Sequence, residues 1–109
     1  TYAVMPKDVA DLLTFATGRA YSETDLLTIG ERIVNVERVF NLRCGMTPDD
    51  DTLPKRFLTE GLAEGPAKDV TVDLGRMLPE YYSRRGWTLD GVPTREKIEA
   101  LGIEVKGVA

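Results

Sequence analysis

The groups in this chain that could do chemistry are few and scattered. There is one cysteine, Cys44, and no histidine, so no internal disulfide can close and no Cys/His zinc set can assemble. Ser/His/Asp and Cys/His nucleophile arrangements are excluded for the same reason. The run Asp49-Asp50-Asp51 invites comparison with a calcium loop, which needs glycine at its sixth position and glutamate at its twelfth. Counted from Asp49 those positions hold Pro54 and Glu60, so the run reads instead as helix-capping carboxylates or as partners for an arginine. Cys44 reads as a small packing residue, with a single ligand supplied to a larger site as the alternative. Neither Gly30 nor Gly61 to Gly65 has the Walker or Rossmann spacing that cradles phosphate.

Two clusters remain. Tyr81-Tyr82 and Trp87 lie beside Arg84-Arg85, a composition that could stack single-stranded bases. Eighteen acidic against fourteen basic residues give a net charge of -4 with no basic block, so nucleic acid is not an expected partner and the aromatics read as core or interface packing. The second cluster is Arg32, Arg43 and Asp25, which emerges only when these residues are placed on the helix that carries them.

That helix is the longest element the sequence encodes. Ser22 is a good N-cap, the segment from Glu23 to Arg43 follows, and Gly45 ends it. Projected at ~100° per residue, Leu26, Ile29, Ile33, Val36, Val39 and Phe40 fall on one broad arc, with Leu27 and Val34 on the far side. Apolar residues on two sides imply packing from two directions. Arg32, Arg43 and Asp25 project inside the main arc, where a charge needs a partner or a route to water. An ion pair with Asp25, Asp50 or Asp51 is the first expectation, and contact with a carboxylate or phosphate of another domain the second.

Around this helix the pattern predicts a helix from Pro6 to Thr17 ended by Gly18, with Val9, Leu12, Leu13 and Ala16 on one face. A turn or single helical turn follows at Thr47 to Thr52, and a short helix at Pro54 to Thr59. Gly61 to Ala67 is a loop and Val70 to Val72 at most a brief extended piece. Asp73 caps a helix to Arg85, bent or loosened by Pro79 and ended by Gly86. Thr94 caps a last helix from Arg95 to Leu101, and the tail from Lys106 to Ala109 frays. The fold expected is all-α, an irregular bundle of four to five helices about one long two-sided helix, forming a single domain over residues 1–109.

A chain of 109 residues with 42% hydrophobic and 29% charged residues is long enough and apolar enough for one core, not two. Uninterrupted apolar runs of two to four residues are far short of the ~20 needed to cross a bilayer, so no membrane association is expected. The start, Thr1 to Lys7, lacks the charge, apolar stretch and cleavage site of a signal peptide, which makes a reducing cytoplasm the expected compartment. The absence of an initiating Met suggests a piece of a longer protein or a processed product.

Five separated segments then carry a resemblance. Ile29-Gly30-Glu31-Arg32-Ile33 with Asn35 to Arg43, Asp50 to Phe57, the Gly65-Pro66 loop, Met77 to Tyr82, and Arg84-Arg85-Gly86-Trp87 with Pro93 to Lys97 follow one another in an order and spacing similar to the carboxyl-terminal region of the aldehyde ferredoxin oxidoreductase family. The resemblance runs from about Leu12 to Ile103. It implies the carboxyl-terminal helical portion of an enzyme that oxidises aldehydes to carboxylic acids, using tungsten held by two pyranopterins and one [4Fe-4S] cluster that passes electrons to ferredoxin.

The family's cluster ligands form a Cys-x-x-Cys-x-x-x-Cys group plus one later Cys in an Asp-x-x-Gly-Leu-Cys motif. Neither motif occurs in this chain, and Cys44 sits in neither context, so no catalytic, cofactor or metal residue is assigned here. The partners implied are the remaining domains of the parent enzyme and, for that parent, ferredoxin. Arg32, Arg43, Asp25, Asp50 and Asp51 are then expected at an interdomain face or in internal ion pairs. An apolar patch left on the chain by itself is expected to drive self-association into a homo-oligomer. The competing expectation is a free-standing helical protein-interaction module without catalysis.

Overall fold

The computed structural model describes residues 4–104. Five helices follow in order: α1 (Pro6–Thr17), α2 (Glu23–Arg43), α3 (Lys55–Thr59), α4 (Leu74–Arg85) and α5 (Arg95–Ala100), with a 3-10 turn at Pro48–Asp50 between α2 and α3. Among the described residues there is no strand, only isolated bridges at Leu62–Lys68 and Trp87–Pro93. The expected extended piece at Val70 to Val72 is not a strand; the Val72 N–H donates to the carbonyl of Phe57 and closes a loop. The expectation for Lys106 to Ala109 falls outside the described residues.

The helix boundaries follow from their caps. Ser22 Oγ accepts from the Asp25 N–H at 3.1 Å while Asp25 Oδ2 accepts from the Ser22 N–H at 2.8 Å, a reciprocal box that fixes the start of α2. Asp73 accepts from the Arg76 N–H at the start of α4, and Thr94 accepts from the Lys97 N–H at the start of α5. Gly18 and Gly86 terminate α1 and α4 in the left-handed conformation, with φ of 72° and 70°. Pro79 lies inside α4, which continues unbroken through it.

These helices do not close around a common apolar core. The molecule is a slab of 51 × 45 × 21 Å, about two helix diameters thick, with a radius of gyration of 18.1 Å against ~13 Å for a compact chain of this length. Its accessible surface of 8673 Å2 compares with roughly 6,000 Å2 for a folded monomer of this mass. The buried side chains gather mainly where α2, α4 and the segment after it meet: Asn35 and Arg38 from α2, Tyr82 from α4, Trp87 just beyond it, and Leu101 after α5.

The main apolar arc of α2 points the other way. Ile29, Ile33, Val36 and Phe40 are exposed, Phe40 at 65%. The arc turned into the slab instead carries Glu31, Asn35 and Arg38 with Val34 and Leu42. In α1 likewise, Val9 and Leu12 are exposed and Ala10 is the buried residue. The apolar stripes that periodicity marks on α1 and α2 are thus largely exposed among the described residues.

Candidate functional site

The junction of α2, α4 and α5 is organised by charge and aromatic rings. Arg38, at 6% side-chain exposure, reaches from the middle of α2 into this junction. Its Nε donates to the carbonyl of Gly91 at 2.8 Å, and its two terminal nitrogens grip both oxygens of Asp51, one of them at 2.8 Å. The guanidinium lies over the rings of Trp87 and Tyr82, 5.0 and 5.8 Å from their centroids. A planar fork that is bidentate to a carboxylate and stacked on aromatics is a task for arginine and not for lysine.

Asp51 accepts also from the Tyr82 hydroxyl. The guanidinium of Arg38 holds the Asp51 carboxyl below the usual carboxylate range, and the Tyr82 hydroxyl lowers it further. Burial pushes the Tyr82 phenol up, and the neighbouring carboxylate adds to this. Beside them, Trp87 Nε1 donates to Asn35 Oδ1 at 2.8 Å, and Asn35 Nδ2 donates to the carbonyl of Glu31 at 2.8 Å. Tyr81 meets Trp87 edge-on at 5.7 Å.

A second charge cluster adjoins the first. Glu31 receives Arg85 from the end of α4 and Lys97 from α5, the latter at 2.8 Å. Lys97 is the main cause of a Glu31 carboxyl held below its ordinary range, and Arg85 contributes in the same direction. Arg85 in turn lies over the Tyr81 ring at 5.2 Å. Glu31, Asn35 and Arg38, spaced i, i+4, i+7 on α2, thereby bind α4, α5 and both connecting segments.

The residues singled out by sequence are dispersed. Asp51 belongs to the first cluster, with Arg38 as its arginine partner. Arg32 is exposed and its Nε donates at 2.6 Å to the carbonyl of Leu101, an otherwise orphaned group at the end of α5. Asp25 caps α2 through Ser22, and Asp50 accepts from the Thr47 N–H at 2.7 Å to cap the 3-10 turn. Arg43 lies in the last turn of α2, beside Val39 and Ile103. Cys44 is exposed, so within these residues it is not the packing residue that its type suggested. Tyr82 and Trp87 pack as expected, whereas Tyr81 is exposed on one side.

The residues missed were Arg38, Glu31, Asn35 and Lys97. Their signal is the polar i, i+4, i+7 stripe on α2, which by itself reads as a solvated face. Nothing in either cluster sets a nucleophile against a base. Among the described residues no three of His, Cys, Asp and Glu gather as a metal-ligand group. What the arrangement does is fasten four segments to one long helix.

Comparison with known proteins agrees with the segments that suggested a family. Residues 1–103 match the family model described as "Aldehyde ferredoxin oxidoreductase, domains 2 & 3". The chain is 54% identical over 104 residues to the tungsten-containing aldehyde ferredoxin oxidoreductase of Pyrococcus furiosus and 53% identical over 104 residues to that of Thermococcus kodakarensis, covering 94% of this chain in each case. A more distant relative, the "Aliphatic sulfonate oxidoreductase, WOR-like subunit" of Pyrococcus furiosus, is 35% identical over 85 residues, 69% of this chain. The chain spans 17% of the length of the two aldehyde ferredoxin oxidoreductases. With a family model matched over nearly its whole length, the chain belongs to the aldehyde ferredoxin oxidoreductase family.

Proposed function

We propose that this chain is the carboxyl-terminal helical portion of a cytoplasmic tungsten enzyme that oxidises aldehydes to carboxylic acids and passes the electrons to ferredoxin. Its contribution is structural: it buttresses the helical part of the enzyme that walls the cofactor and substrate channel. The observation that carries this reading is the inverted long helix, whose polar stripe is sequestered within the slab while its apolar stripe is exposed. A chain that folds for itself alone buries its apolar face.

The residues of the chain do not fit a resident cofactor. A [4Fe-4S] cluster is held by cysteine thiolates, and the single cysteine here is exposed and has no second cysteine beside it. The charges of the junction are already committed to one another, the buried Arg38 to Asp51 and the half-buried Glu31 to Lys97. Pyranopterin, tungsten and cluster therefore belong, on this reading, to the part of the polypeptide that this chain does not span.

The test is native purification of the polypeptide that carries this sequence, followed by its mass, its tungsten and iron content, and aldehyde-dependent reduction of ferredoxin. A chain several times this length, containing tungsten and iron and active on aldehydes, is the expected result. A metal-free product of about 12.1 kDa overturns the reading and leaves a free-standing helical interaction module.

A further inference from the structure

The exposed stripe of α2 is more specific than an apolar patch. Leu26, Ile29, Ile33, Val36 and Phe40 follow one another at spacings of three, four, three and four, the seam pattern of helices packed knobs-into-holes. Leu26 is half-buried and the other four are exposed. Open grooves flank Phe40 on both sides, one bordered by Val36 and Glu37, the other by Val39 and Ile103. Between Ile29 and Ile33, in the middle of the helix, stands Gly30.

Gly30 is costly where it is. A glycine inside a helix is less favourable than alanine by ~1 kcal/mol, and nothing lies within 4 Å of where its Cβ would be. No packing within the described residues requires it. A glycine beside a heptad seam has a packing use where another backbone passes close to it.

We infer that this seam is the seat of an α-helix from the same polypeptide, outside the stretch that this chain spans, crossing α2 near Gly30 at the shallow angle of three-four ridge packing. This rests on the reading of the chain as part of a longer enzyme and specifies which surface receives the rest of it. The seam covers 15 residues, two heptads, whereas a free-standing coiled coil sustains three to four or more. A second copy of the chain would have to meet the full translational and rotational cost of association on that short seam. A tethered helix does not, and the aldehyde ferredoxin oxidoreductases that match are about six times as long as this chain. The occupant is accordingly an amphipathic helix of about four turns with its own apolar three-four stripe.

The full-length polypeptide with p-benzoylphenylalanine in place of Ile33 tests this by irradiation and mass-spectrometric mapping. The expected crosslink joins position 33 to a peptide outside positions 1–109 of the same chain. A crosslink between two copies, a crosslink confined to positions 1–109, or none overturns the inference. The same label in place of Glu37, which flanks the seam and is exposed, serves where a change at Ile33 impairs folding. Gly30→Leu supplies a sign. It raises Tm in an unpartnered helix and lowers it by several degrees where a backbone crosses, so an unchanged or raised Tm overturns the close approach. A native product no longer than this chain, seen by immunoblot, refutes the underlying reading separately from any crosslink pattern.

Discussion

The indole N–H of Trp87 donates to the side-chain oxygen of Asn35, a residue with no exposed surface at all. The amide nitrogen of Asn35 is bonded in turn to the carbonyl of Glu31, one turn earlier on α2. A buried asparagine with both ends engaged fixes the rotation of α2 against the segment after α4. An apolar residue of the same size would permit several rotations, because the buried face of α2 has few other apolar contacts to select one.

Asn35→Ala should therefore strand the Trp87 N–H in the interior. Leaving a buried donor unsatisfied costs about 1–3 kcal/mol. Denaturant unfolding of the polypeptide carrying this sequence should show that loss, and the double variant Asn35→Ala with Trp87→Phe should recover part of it. Strict additivity of the two single variants would show that the bond does not couple them.

The starts of α2, α4 and α5 were legible in the sequence because caps are local: Ser22, Asp73 and Thr94 each act within three residues. The inward face of α2 was not. Periodicity finds an apolar stripe but not what packs on it, and among the described residues that stripe is exposed while Glu31, Asn35 and Arg38 take the interior. Asp51 was legible as a carboxylate in need of an arginine. Arg38 was not legible as that arginine, since a charge on a polar stripe looks solvated until Tyr82 and Trp87, more than 40 residues later, fold over it.

Arg38→Lys should behave almost as badly as Arg38→Met. A lysine keeps the charge but cannot hold both oxygens of Asp51, reach the Gly91 carbonyl and stack on Trp87 at once. Removing one member of a buried pair typically costs about 3–5 kcal/mol. Thermal unfolding of the two variants should place Arg38→Lys much nearer to Arg38→Met than to the parent; near-parental stability of the lysine variant would mean that charge alone suffices.

Gly91 gives a purely steric test. Its φ is 68°, and a Cβ there would stand 2.2 Å from Nη2 of Arg38 and 2.9 Å from Tyr82 Cζ. Gly18 has a similar φ of 72° with nothing within 4 Å. Gly18→Ala should therefore cost only the left-handed backbone penalty, roughly 1–2 kcal/mol. Gly91→Ala should cost clearly more, because the Arg38 clamp must open as well. Equal losses in chemical denaturation would show that the clamp yields freely at this point.

Acid should loosen the junction for a definite reason. Asp51 and Glu31 both have folded pKa values below their unfolded ones, through Arg38 and Lys97 respectively. The unfolded chain thus binds more protons over that interval, and stability rises with pH there. The contribution is complete above the unfolded carboxylate values of about 4 and disappears as pH falls through the folded values. Tyr82 acts in the opposite sense, since its raised pKa makes stability decline as pH climbs above about 10. Tm measured from pH 7 down to 3 should fall, and Asp51→Asn should flatten that acid limb while lowering the neutral plateau. An acid limb unchanged by Asp51→Asn and by Glu31→Gln would place the acid sensitivity outside this junction, because these two carboxylates face the buried Arg38 and the half-buried Arg85 and Lys97 that join α2 to α4 and α5.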